Sequence, residues 1–320
     1  MRVLVTGGAG FIGSNFVRST LAGRYRNISN LRVLDKLTYA GSLSNFSSDE
    51  LSKFEFIEGD ICDPDTAQRS LENVDVVLNF AAESHVDRSI AGSRQFFLTN
   101  TLGVQTLLDA ARRTDLSTFV QVSTDEVYGS IPVGSWPETD PLQPNSPYAA
   151  SKASAEMICQ SYTKTYGMDI RVTRCSNNYG PYQFPEKIIP LFVTNLIDGL
   201  DIPLYGNGKN VRDWLHVEDH CTAIYRVIEN GKAGEVYNIG GGTELTNEQL
   251  TYQLLSHFNF GLEKIKFVED RLGHDIRYSV NASKIKSELG FEPKVNWGDG
   301  LASTVEWYQE NQSWWRPLKK

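Results

Sequence analysis

Residues 1–13 of the chain read MRVLVTGGAGFIG and carry its clearest structural signal. The β-branched run over residues 2–6 predicts a strand, and helical spacing of apolar residues begins directly after the glycines. Gly7, Gly10 and Gly13 suit a tight turn whose backbone approaches a bound pyrophosphate. The following helix presents free N–H groups and a partial positive charge at its N-terminus. The stretch therefore predicts a dinucleotide-binding turn.

A carboxylate follows the second predicted strand. Asp35 ends that strand, residues 31–35, about 20 residues past the glycine turn. A carboxylate at this place accepts hydrogen bonds from a ribose 2′-hydroxyl and repels a 2′-phosphate, which favours NAD over NADP. Lys36 beside it argues in the opposite direction. Asp60 follows the third predicted strand, residues 54–58, and we expect it to hold the adenine amine; an ordinary turn aspartate is the alternative.

Short β-rich runs alternate with longer helical patterns through the first half of the chain. Such alternation, with several strands apolar on both faces, predicts an α/β fold: a doubly wound parallel Rossmann-type sheet covered by helices on both sides. Past residue 180 the pattern becomes irregular and predicts a smaller, mixed C-terminal lobe. We therefore expect two domains, residues 1–180 and residues 181–320, with segments of the second returning to the first. The predicted strands are residues 2–6, 31–35, 54–58, 74–80, 119–123 and 170–174, and the predicted helices are residues 12–21, 96–111, 148–166, 188–197, 217–230 and 247–258.

The composition argues against several classes of protein. Acidic residues outnumber basic ones, 39 against 31, for a formal net charge of −8, and neither half is basic, so we expect no nucleic-acid partner. The 4 cysteines are scattered without a CxxC pair, which argues against a disulfide framework and a thiolate zinc site. Since no run approaches 18 apolar residues and the N-terminus lacks a signal-peptide pattern, we expect a soluble cytoplasmic protein without a membrane partner.

Tyr148 and Lys152 lie one helical turn apart at the start of a predicted helix. The residues before them, Asn145-Ser146-Pro147, are typical of a helix N-terminus. An ammonium group beside a phenol favours the phenolate, so we expect the tyrosine pKa to fall below its ordinary value of about 10. A phenolate beside a nicotinamide ring can take the proton of an alcohol while hydride leaves the same carbon.

Three features together resemble the extended short-chain dehydrogenase/reductase superfamily: the glycine turn, Thr124 at the end of a central strand, and Tyr148-x-x-x-Lys152. The resemblance covers essentially the whole chain. It implies that Thr124 hydrogen-bonds the reacting hydroxyl and that NAD is the cofactor. The cofactor-binding residues it implies are Gly7, Gly10, Phe11, Ile12, Gly13, Asp35, Lys36, Thr38, Asp60, Ile61, Ala81, Ala82, Thr99, Tyr148, Lys152 and Asn178.

Asp125 and Glu126 follow Thr124 directly, at the carboxyl end of the strand where open α/β sheets bind their ligands. Two carboxyl groups in one site can have pKa values pushed apart, so that one stays protonated as an acid while the other acts as a base. Removal of water from a sugar requires such a pair, so we expect both residues to be catalytic together with Thr124, Tyr148 and Lys152. An acidic turn without a catalytic role is the alternative.

Several short motifs narrow the resemblance further. They are TDEVYG at residues 124–129, AAESHVD at 81–87, RCSNNYGP at 174–181, FPEK at 184–187, VRDW at 211–214 and DRLGHD at 270–275. Together they resemble the dTDP-glucose 4,6-dehydratase family, although family members often carry proline at the position of Leu272. GDP-mannose 4,6-dehydratases are the nearest relatives, but they usually lack the aspartate of the acidic pair and prefer NADP.

This resemblance implies a hydro-lyase of deoxysugar biosynthesis that converts dTDP-glucose to dTDP-4-keto-6-deoxyglucose and water. Its steps are C4 oxidation, loss of water across C5 and C6, and C6 reduction, so the tightly bound NAD is regenerated in each turnover. It also implies a homodimer formed through helices 96–111 and 148–166. The implied substrate-binding residues are Ser84, His85, Thr124, Asn177, Glu186, Lys187, Pro203, Tyr205, Arg212, Asn247, Arg271, His274 and Tyr278.

Two other functions remain open. A nucleotide-sugar epimerase needs only removal and return of hydride at one carbon, and an inactive NAD-sensing or scaffold protein could share the fold. His216 and His220 are spaced like part of a zinc-binding helix, but no third ligand is evident and we expect no metal. We interpret Trp314-Trp315 near the C-terminus as packing residues.

Overall fold

The computed structural model describes residues 1–319 of the chain, and the largest sheet in it has seven strands. The strands of all the sheets, in chain order, are β1 Arg2–Thr6, β2 Asn30–Asp35, β3 Glu55–Glu58, β4 Val76–Asn79, β5 Thr118–Thr124, β6 Ile170–Cys175, β7 Asn177–Tyr179, β8 Ile202–Tyr205, β9 Val211–His216, β10 Val236–Ile239, β11 Glu244–Thr246 and β12 Ile265–Val268. The large sheet has the order β10-β6-β5-β4-β1-β2-β3, and every pair in it is parallel. The expected doubly wound parallel sheet is therefore confirmed, with the reversal of strand order between β1 and β4.

Helices cover both faces of this sheet. The α-helices of residues 1–319, on this sheet and in the smaller lobe, are α1 Phe11–Leu21, α2 Ser48–Leu51, α3 Pro64–Ser70, α4 Val86–Ala91, α5 Arg94–Phe97, α6 Val104–Ala111, α7 Pro147–Tyr166, α8 Ile188–Ile197, α9 Val217–Asn230, α10 Asn247–His257, α11 Ser283–Leu289, α12 Trp297–Glu310 and α13 Gln312–Trp315. One apolar cluster joins the sheet to α1, α9 and α11 through Phe16, Ile224 and Ile285. A second joins the opposite face to α6 and α7 through Leu107 and Ala155.

The helix expected over residues 96–111 is interrupted in the structure. A π-helical turn, Leu98–Gly103, separates α5 from α6. Within this turn the Asn100 side chain donates to the main-chain oxygen of Glu83 at 2.9 Å and to the hydroxyl of Ser151 on α7 at 2.8 Å. Apolar spacing does not reveal such a turn, because a single wide turn changes the spacing too little.

The smaller lobe contains two short sheets. One has the order β11-β9-β7, and the other pairs β12 with β8. Its core gathers α8, α10, α12 and α13 around the buried side chains of Phe192, Leu254, Tyr308 and Trp315. Two segments beyond residue 180 lie with the large sheet instead, since β10 pairs with β6 and α9 packs against α1. The domain boundary at residue 180 stays a prediction.

No helix within residues 1–319 has both the length and the apolar character needed to cross a membrane.

Candidate active site

Two adjoining cavities open at the carboxyl ends of the central strands. The glycine-turn cavity has a volume of about 300 Å³, and all sixteen residues expected at the cofactor line it. The second-lobe cavity has a volume of about 240 Å³ and is lined by eleven of the thirteen expected substrate residues; Ser84 and Thr124 line the first cavity instead. The residues that line both cavities are Glu126, Asn177, Asn178, Gln183, Glu186 and Lys187.

The glycine turn forms a cradle of bare backbone. Gly7 has φ +65°, and a Cβ there would lie 2.5 Å from the main-chain nitrogen of Ala81. A Cβ at Gly13 would lie 2.4 Å from the Gly7 carbonyl oxygen. In the described chain no side chain caps the N-terminus of α1 at Gly10, so its first N–H groups face the cavity without a protein side chain on them. This donor set suits the phosphates of a dinucleotide.

The acidic residues behind the turn have partners of their own. Asp35 is buried and its carboxylate accepts hydrogen bonds from the N–H groups of Ala9 at 2.9 Å and Leu37 at 2.8 Å. Burial raises its pKa against the effect of these bonds. The ammonium of Lys36 donates to Asp60 at 2.6 Å, so its charge is locally compensated. The reason to doubt a preference for NAD is thereby weakened, while the expected contact of Asp60 with an adenine stays a prediction.

Tyr148 and Lys152 lie on one face of α7, whose first turn is capped by Ser146 through a hydrogen bond from the Ala149 N–H at 3.1 Å. The Lys152 ammonium is buried and donates to the Val122 carbonyl at 2.6 Å. Burial lowers the pKa of Lys152 to about 8.

The prediction that the Tyr148 pKa is lowered is wrong when only the groups of the protein itself act on it. Burial raises this pKa well above its ordinary value, the charge of Glu126 raises it further, and the Thr124 hydroxyl lowers it. The physical reason is that burial disfavours the phenolate, while the Lys152 ammonium is itself desolvated and its pKa falls.

Asp125 and Glu126 occupy the first positions of a 3₁₀ turn, Asp125–Tyr128, that follows β5 directly. The Thr124 hydroxyl donates to the Asp125 carboxylate at 3.2 Å and accepts the Glu126 N–H at 3.3 Å. Asp125 is 3% exposed, and its Oδ2 is buried without a hydrogen-bond partner in the described structure. Burial raises its pKa well above the ordinary value, and the charge of Glu126 raises it further.

Glu126 differs from its neighbour in its surroundings. It is partly exposed and lines both cavities. Burial raises its pKa, but the cations Lys187 and Arg212 oppose that rise. The pKa of Asp125 is therefore raised more strongly than that of Glu126, the difference that an acid and a base in one site require.

A buried ion pair anchors the far end of the acidic turn. Arg174 donates to Glu156 on α7 at 2.6 Å and to the Tyr128 hydroxyl at 2.5 Å, and its guanidinium lies 4.6 Å from the Tyr128 ring centre. The Tyr128 hydroxyl in turn donates to Asn238 on β10 at 2.9 Å. The turn that carries the carboxyl pair is thus fixed to α7, β6 and β10.

Cations line the second-lobe cavity. Arg212 donates to the Asp275 carbonyl at 3.0 Å and lies over the Tyr278 ring at 4.4 Å. Arg271 lies 3.3 Å from the carboxylate of Asp87 on α4. Lys187 is held by the Ser84 carbonyl at 2.9 Å, and burial lowers its pKa. Guanidinium groups of this kind suit a diphosphate, because their planar fork can bind two oxygens at once.

Comparison with known proteins identifies the family. Residues 4–304 match the model described as GDP-mannose 4,6 dehydratase. A dTDP-glucose 4,6-dehydratase of Streptomyces niveus is 54% identical over 322 residues, covering 100% of this chain and 96% of the relative. One from Actinoplanes sp. is 54% identical and covers 98% of this chain and 100% of that protein. The chain belongs to the dTDP-glucose 4,6-dehydratase family. The resemblance seen in the sequence motifs is confirmed.

Solved structures agree with this family. DesIV, a dTDP-glucose 4,6-dehydratase from Streptomyces venezuelae crystallised with NAD and TYD, shares 56% identity at a TM-score of 0.98, covering 100% of both chains. A UDP-glucose 4-epimerase from Thermotoga maritima, crystallised with UDP-glucose, shares 31% identity at a TM-score of 0.90, covering 98% of this chain and 100% of that one. The fold is therefore shared between dehydratases and epimerases and does not by itself distinguish the two activities.

Tyr39 and Asp275 are among the lining residues to which the sequence-based reasoning assigned no role. Tyr39 lies in the glycine-turn cavity, donates from its hydroxyl to Glu186 at 2.8 Å, and stacks under the Arg88 guanidinium at 3.7 Å. Asp275 lies in the second-lobe cavity and accepts from both Ser130 and Asn145 at 2.6 Å. The sequence offers only weak signals for them. Tyr39 follows the carboxyl end of a predicted strand, and Asp275 is the last residue of the motif DRLGHD, in which it had no assigned role.

His216, at the end of β9, and His220, on α9, have separate partners. His216 Nδ1 accepts the Glu218 N–H at 3.3 Å and so caps the helix. His220 is fully buried, contacts Asn178 Oδ1 at 2.9 Å, and burial lowers its pKa to about 3. Within residues 1–319 no cluster of three or more His, Cys, Asp or Glu side chains could hold a metal ion.

Proposed function

We propose that this protein is an NAD-dependent hydro-lyase that converts dTDP-glucose to dTDP-4-keto-6-deoxyglucose and water in deoxysugar biosynthesis. The observation that carries the proposal is the carboxyl pair: Asp125 is buried with an unpartnered oxygen, and Glu126 lies where the two cavities meet. The relatives that share more than half of the sequence are dTDP-glucose 4,6-dehydratases. We further propose that the protein acts in the cytoplasm.

The residues of the glycine-turn cavity fit NAD. The bare backbone of Gly7, Gly10 and Gly13 would hold the pyrophosphate, and the Asp35 carboxylate would meet the adenosine ribose. Bound NAD supplies reversible hydride transfer with carbons C4 and C6 of the sugar. The net reaction is the loss of water, so it is redox-neutral and needs no added oxidant.

Tyr148 and Thr124 would act at the C4 hydroxyl. The Tyr148 oxygen would remove the proton of the C4 hydroxyl as C4 is oxidised. The Thr124 hydroxyl would orient the oxygen of that C4 hydroxyl by a hydrogen bond. The protein's own groups hold the Tyr148 pKa high, so a further positive charge is required before the phenolate can form. Lys152, held to the Val122 carbonyl, would bind the nicotinamide ribose, and the nicotinamide ring of bound NAD would add the further positive charge.

Glu126 and Asp125 would remove the water. Once C4 is a ketone, the C5 hydrogen is acidic and the Glu126 carboxylate can abstract it. Asp125 then donates its proton to the C6 hydroxyl, the C6–O bond breaks and water leaves. Reduction at C6 and return of the proton to C5 complete the product, so atoms and electrons balance.

The second-lobe cavity would hold the nucleotide part of the substrate. Arg212 and Arg271 would bind the diphosphate with Asn177 and Asn247, and the thymine would lie near Pro203 and Tyr205. The remaining residues proposed at the substrate are Ser84, His85, Glu186, Lys187, His274 and Tyr278.

We propose a homodimer formed through α5, the π-helical turn, α6 and α7. Exposed apolar side chains on this surface support it: Phe97 is 39% exposed, Leu102 46% and Met157 51%. A second copy of the chain would bury them.

The test is incubation of the purified protein with dTDP-glucose. A 4-keto-6-deoxy product absorbs in alkali and an epimer does not, so the absorbance separates dehydratase from epimerase. The double variant Asp125→Asn with Glu126→Gln should keep NAD and substrate binding while making no product. Normal turnover by that variant, or an epimer from the unmodified protein, would contradict the proposal.

A further inference from the structure

The C-terminal helix α13 returns to the domain that carries the glycine turn. The indole N–H of Trp314 donates to the side-chain oxygen of Asn45 at 2.9 Å, across 269 residues of sequence. Asn45 lies in the segment between β2 and β3 and is 2% exposed. In the sequence Asn45 is an ordinary polar loop residue, and nothing there indicates a function for Trp314.

Asn45 connects this indole to the glycine turn. Its side-chain amide donates to the Ala9 carbonyl at 2.8 Å. The Ser42 N–H donates to the same carbonyl at 3.0 Å, and the Ala9 N–H donates to Asp35 at 2.9 Å. The Ala9 peptide, between Gly8 and Gly10, is therefore held at both its oxygen and its nitrogen.

The amide of Asn45 is oriented from both ends. Its oxygen faces the Trp314 donor and its nitrogen faces the Ala9 acceptor, so a rotated amide would place donor against donor and acceptor against acceptor. The Arg18 guanidinium, stacked over Tyr182 at 3.7 Å, also donates to the main-chain oxygen of Asn45 at 3.1 Å. Turning the side-chain amide would lose its bonds to Trp314 and Ala9, while the Arg18 bond holds the main chain of the loop in place.

Trp314 is itself held by the aromatic core of the smaller lobe. Its ring lies 5.1 Å from Trp307 and 5.4 Å from Tyr182, both in edge-on arrangements. The indole is thus a rigid donor, because its packing fixes the direction in which the N–H points.

We infer that Trp314 is a positioning residue for the cofactor turn, acting through Asn45 on the Ala9 carbonyl. The inference rests on the proposed binding of NAD at this turn. Without the indole N–H, the buried Asn45 oxygen loses its donor, and only the Ala9 carbonyl still orients the amide. The turn then holds the pyrophosphate less firmly, and NAD should leave faster.

The experiment is the exchange of bound NAD against labelled NAD in the full-length protein carrying Trp314→Phe. Phenylalanine keeps an aromatic ring in the packing and removes only the donor. We expect about a tenfold faster exchange, with kcat at saturating NAD unchanged. The matched control is Trp297→Phe, since the Trp297 indole is also partly buried and donates to Gln253 at 2.7 Å without any link to the turn.

The outcomes separate the possibilities. Faster exchange in Trp314→Phe with normal exchange in Trp297→Phe supports the inference. Normal exchange in Trp314→Phe, or equal acceleration in both variants, overturns it in favour of a purely structural role. Should Trp314→Phe fold poorly, Asn45→Asp keeps the acceptor for the indole and loses the donor to Ala9, and it must then accelerate exchange. Failure of the unmodified protein to bind NAD would refute the proposed function instead.

Discussion

The buried Asp125 side chain lowers the free energy of unfolding, and we expect its replacement to raise that free energy. The side chain is 3% exposed, one carboxylate oxygen has the Thr124 hydroxyl at 3.2 Å, and the other is buried without a partner. Burial raises its pKa well above the ordinary value, followed by the charges of Glu126 and Asp213. In the unfolded chain the same group ionises freely. We therefore predict that Asp125→Asn loses activity and gains stability at neutral and alkaline pH.

The sign of the pH dependence follows from the direction of the pKa shift. An unfolded aspartate has a pKa of about 3.9. Because the folded pKa is higher, the stability that this group contributes is fully present below the unfolded value and is lost as the pH rises through the folded one. Asparagine does not titrate, so the advantage of the variant should grow with pH and be smallest in acid.

The magnitude comes from the charge that asparagine cannot carry. A buried polar group without a partner costs about 1–3 kcal/mol, and more when it is charged. Asparagine keeps the shape and the Thr124 bond but leaves its amide nitrogen unpartnered where Oδ2 stood. The gain is therefore limited to the cost of protonating the carboxyl or burying its charge, for which we expect about 2 kcal/mol. With about 2.1 cal/mol/K of unfolding entropy per residue, a chain of 320 residues changes its Tm by about 3 °C for that free energy.

The assay is thermal unfolding at saturating NAD between about pH 5 and pH 8.5, beside the product assay, where loss of a general acid should cost about 10²–10⁴ in rate. Asp213→Asn is the matched control. Asp213 is also buried, but its carboxylate accepts the N–H groups of Gly241 at 2.7 Å and Thr243 at 2.8 Å, so an amide there should destabilise. A Tm for Asp125→Asn at or below that of the unmodified protein at every pH would refute the reasoning.

Three further predictions concern the two cavities and the proposed dimer. Arg212→Ala should weaken substrate binding and leave NAD binding unchanged, measured by titration calorimetry; equal loss of both would indicate misfolding. Gly7→Ala places a Cβ 2.5 Å from the Ala81 main-chain nitrogen, so the purified protein should contain little NAD by absorbance after denaturation, whereas normal NAD content would contradict the cradle. Met157→Glu should convert the proposed homodimer to monomers in sedimentation experiments, and a monomeric unmodified protein would disprove that dimer.

Features that depend on local spacing could be predicted from the sequence. The strand Arg2–Thr6 and the helices Ile188–Ile197 and Val217–Asn230 have the predicted bounds, because each has a clear apolar period and a distinct end. The residues expected around the cofactor also come together, since parallel strands all bring their carboxyl ends to one edge of the sheet.

Features that depend on distant partners could not be predicted. Lys36 alone argues for a 2′-phosphate, and its pairing with Asp60 at 2.6 Å, which weakens that argument, is visible only in the structure. The spacing of Tyr148 and Lys152 is correct for one helical face, yet it says nothing of the burial that raises the tyrosine pKa. The bond from Trp314 to Asn45 spans 269 residues and has no local signal.

The formal charge of −8 also takes on a different meaning in the structure. Two anionic ligands are proposed for this acidic chain, and the groups that would meet them are backbone N–H donors and a few cations such as Arg212 and Lys187. Asp125, which lines the glycine-turn cavity, and Glu126, which lines both cavities, would place two negative charges near the substrate if both were ionised. Burial raises both pKa values, most strongly that of Asp125, so the same shift that prepares an acid for catalysis also removes a negative charge from the substrate's surroundings. Net charge describes the solvated surface, whereas binding depends on which of these few groups are ionised.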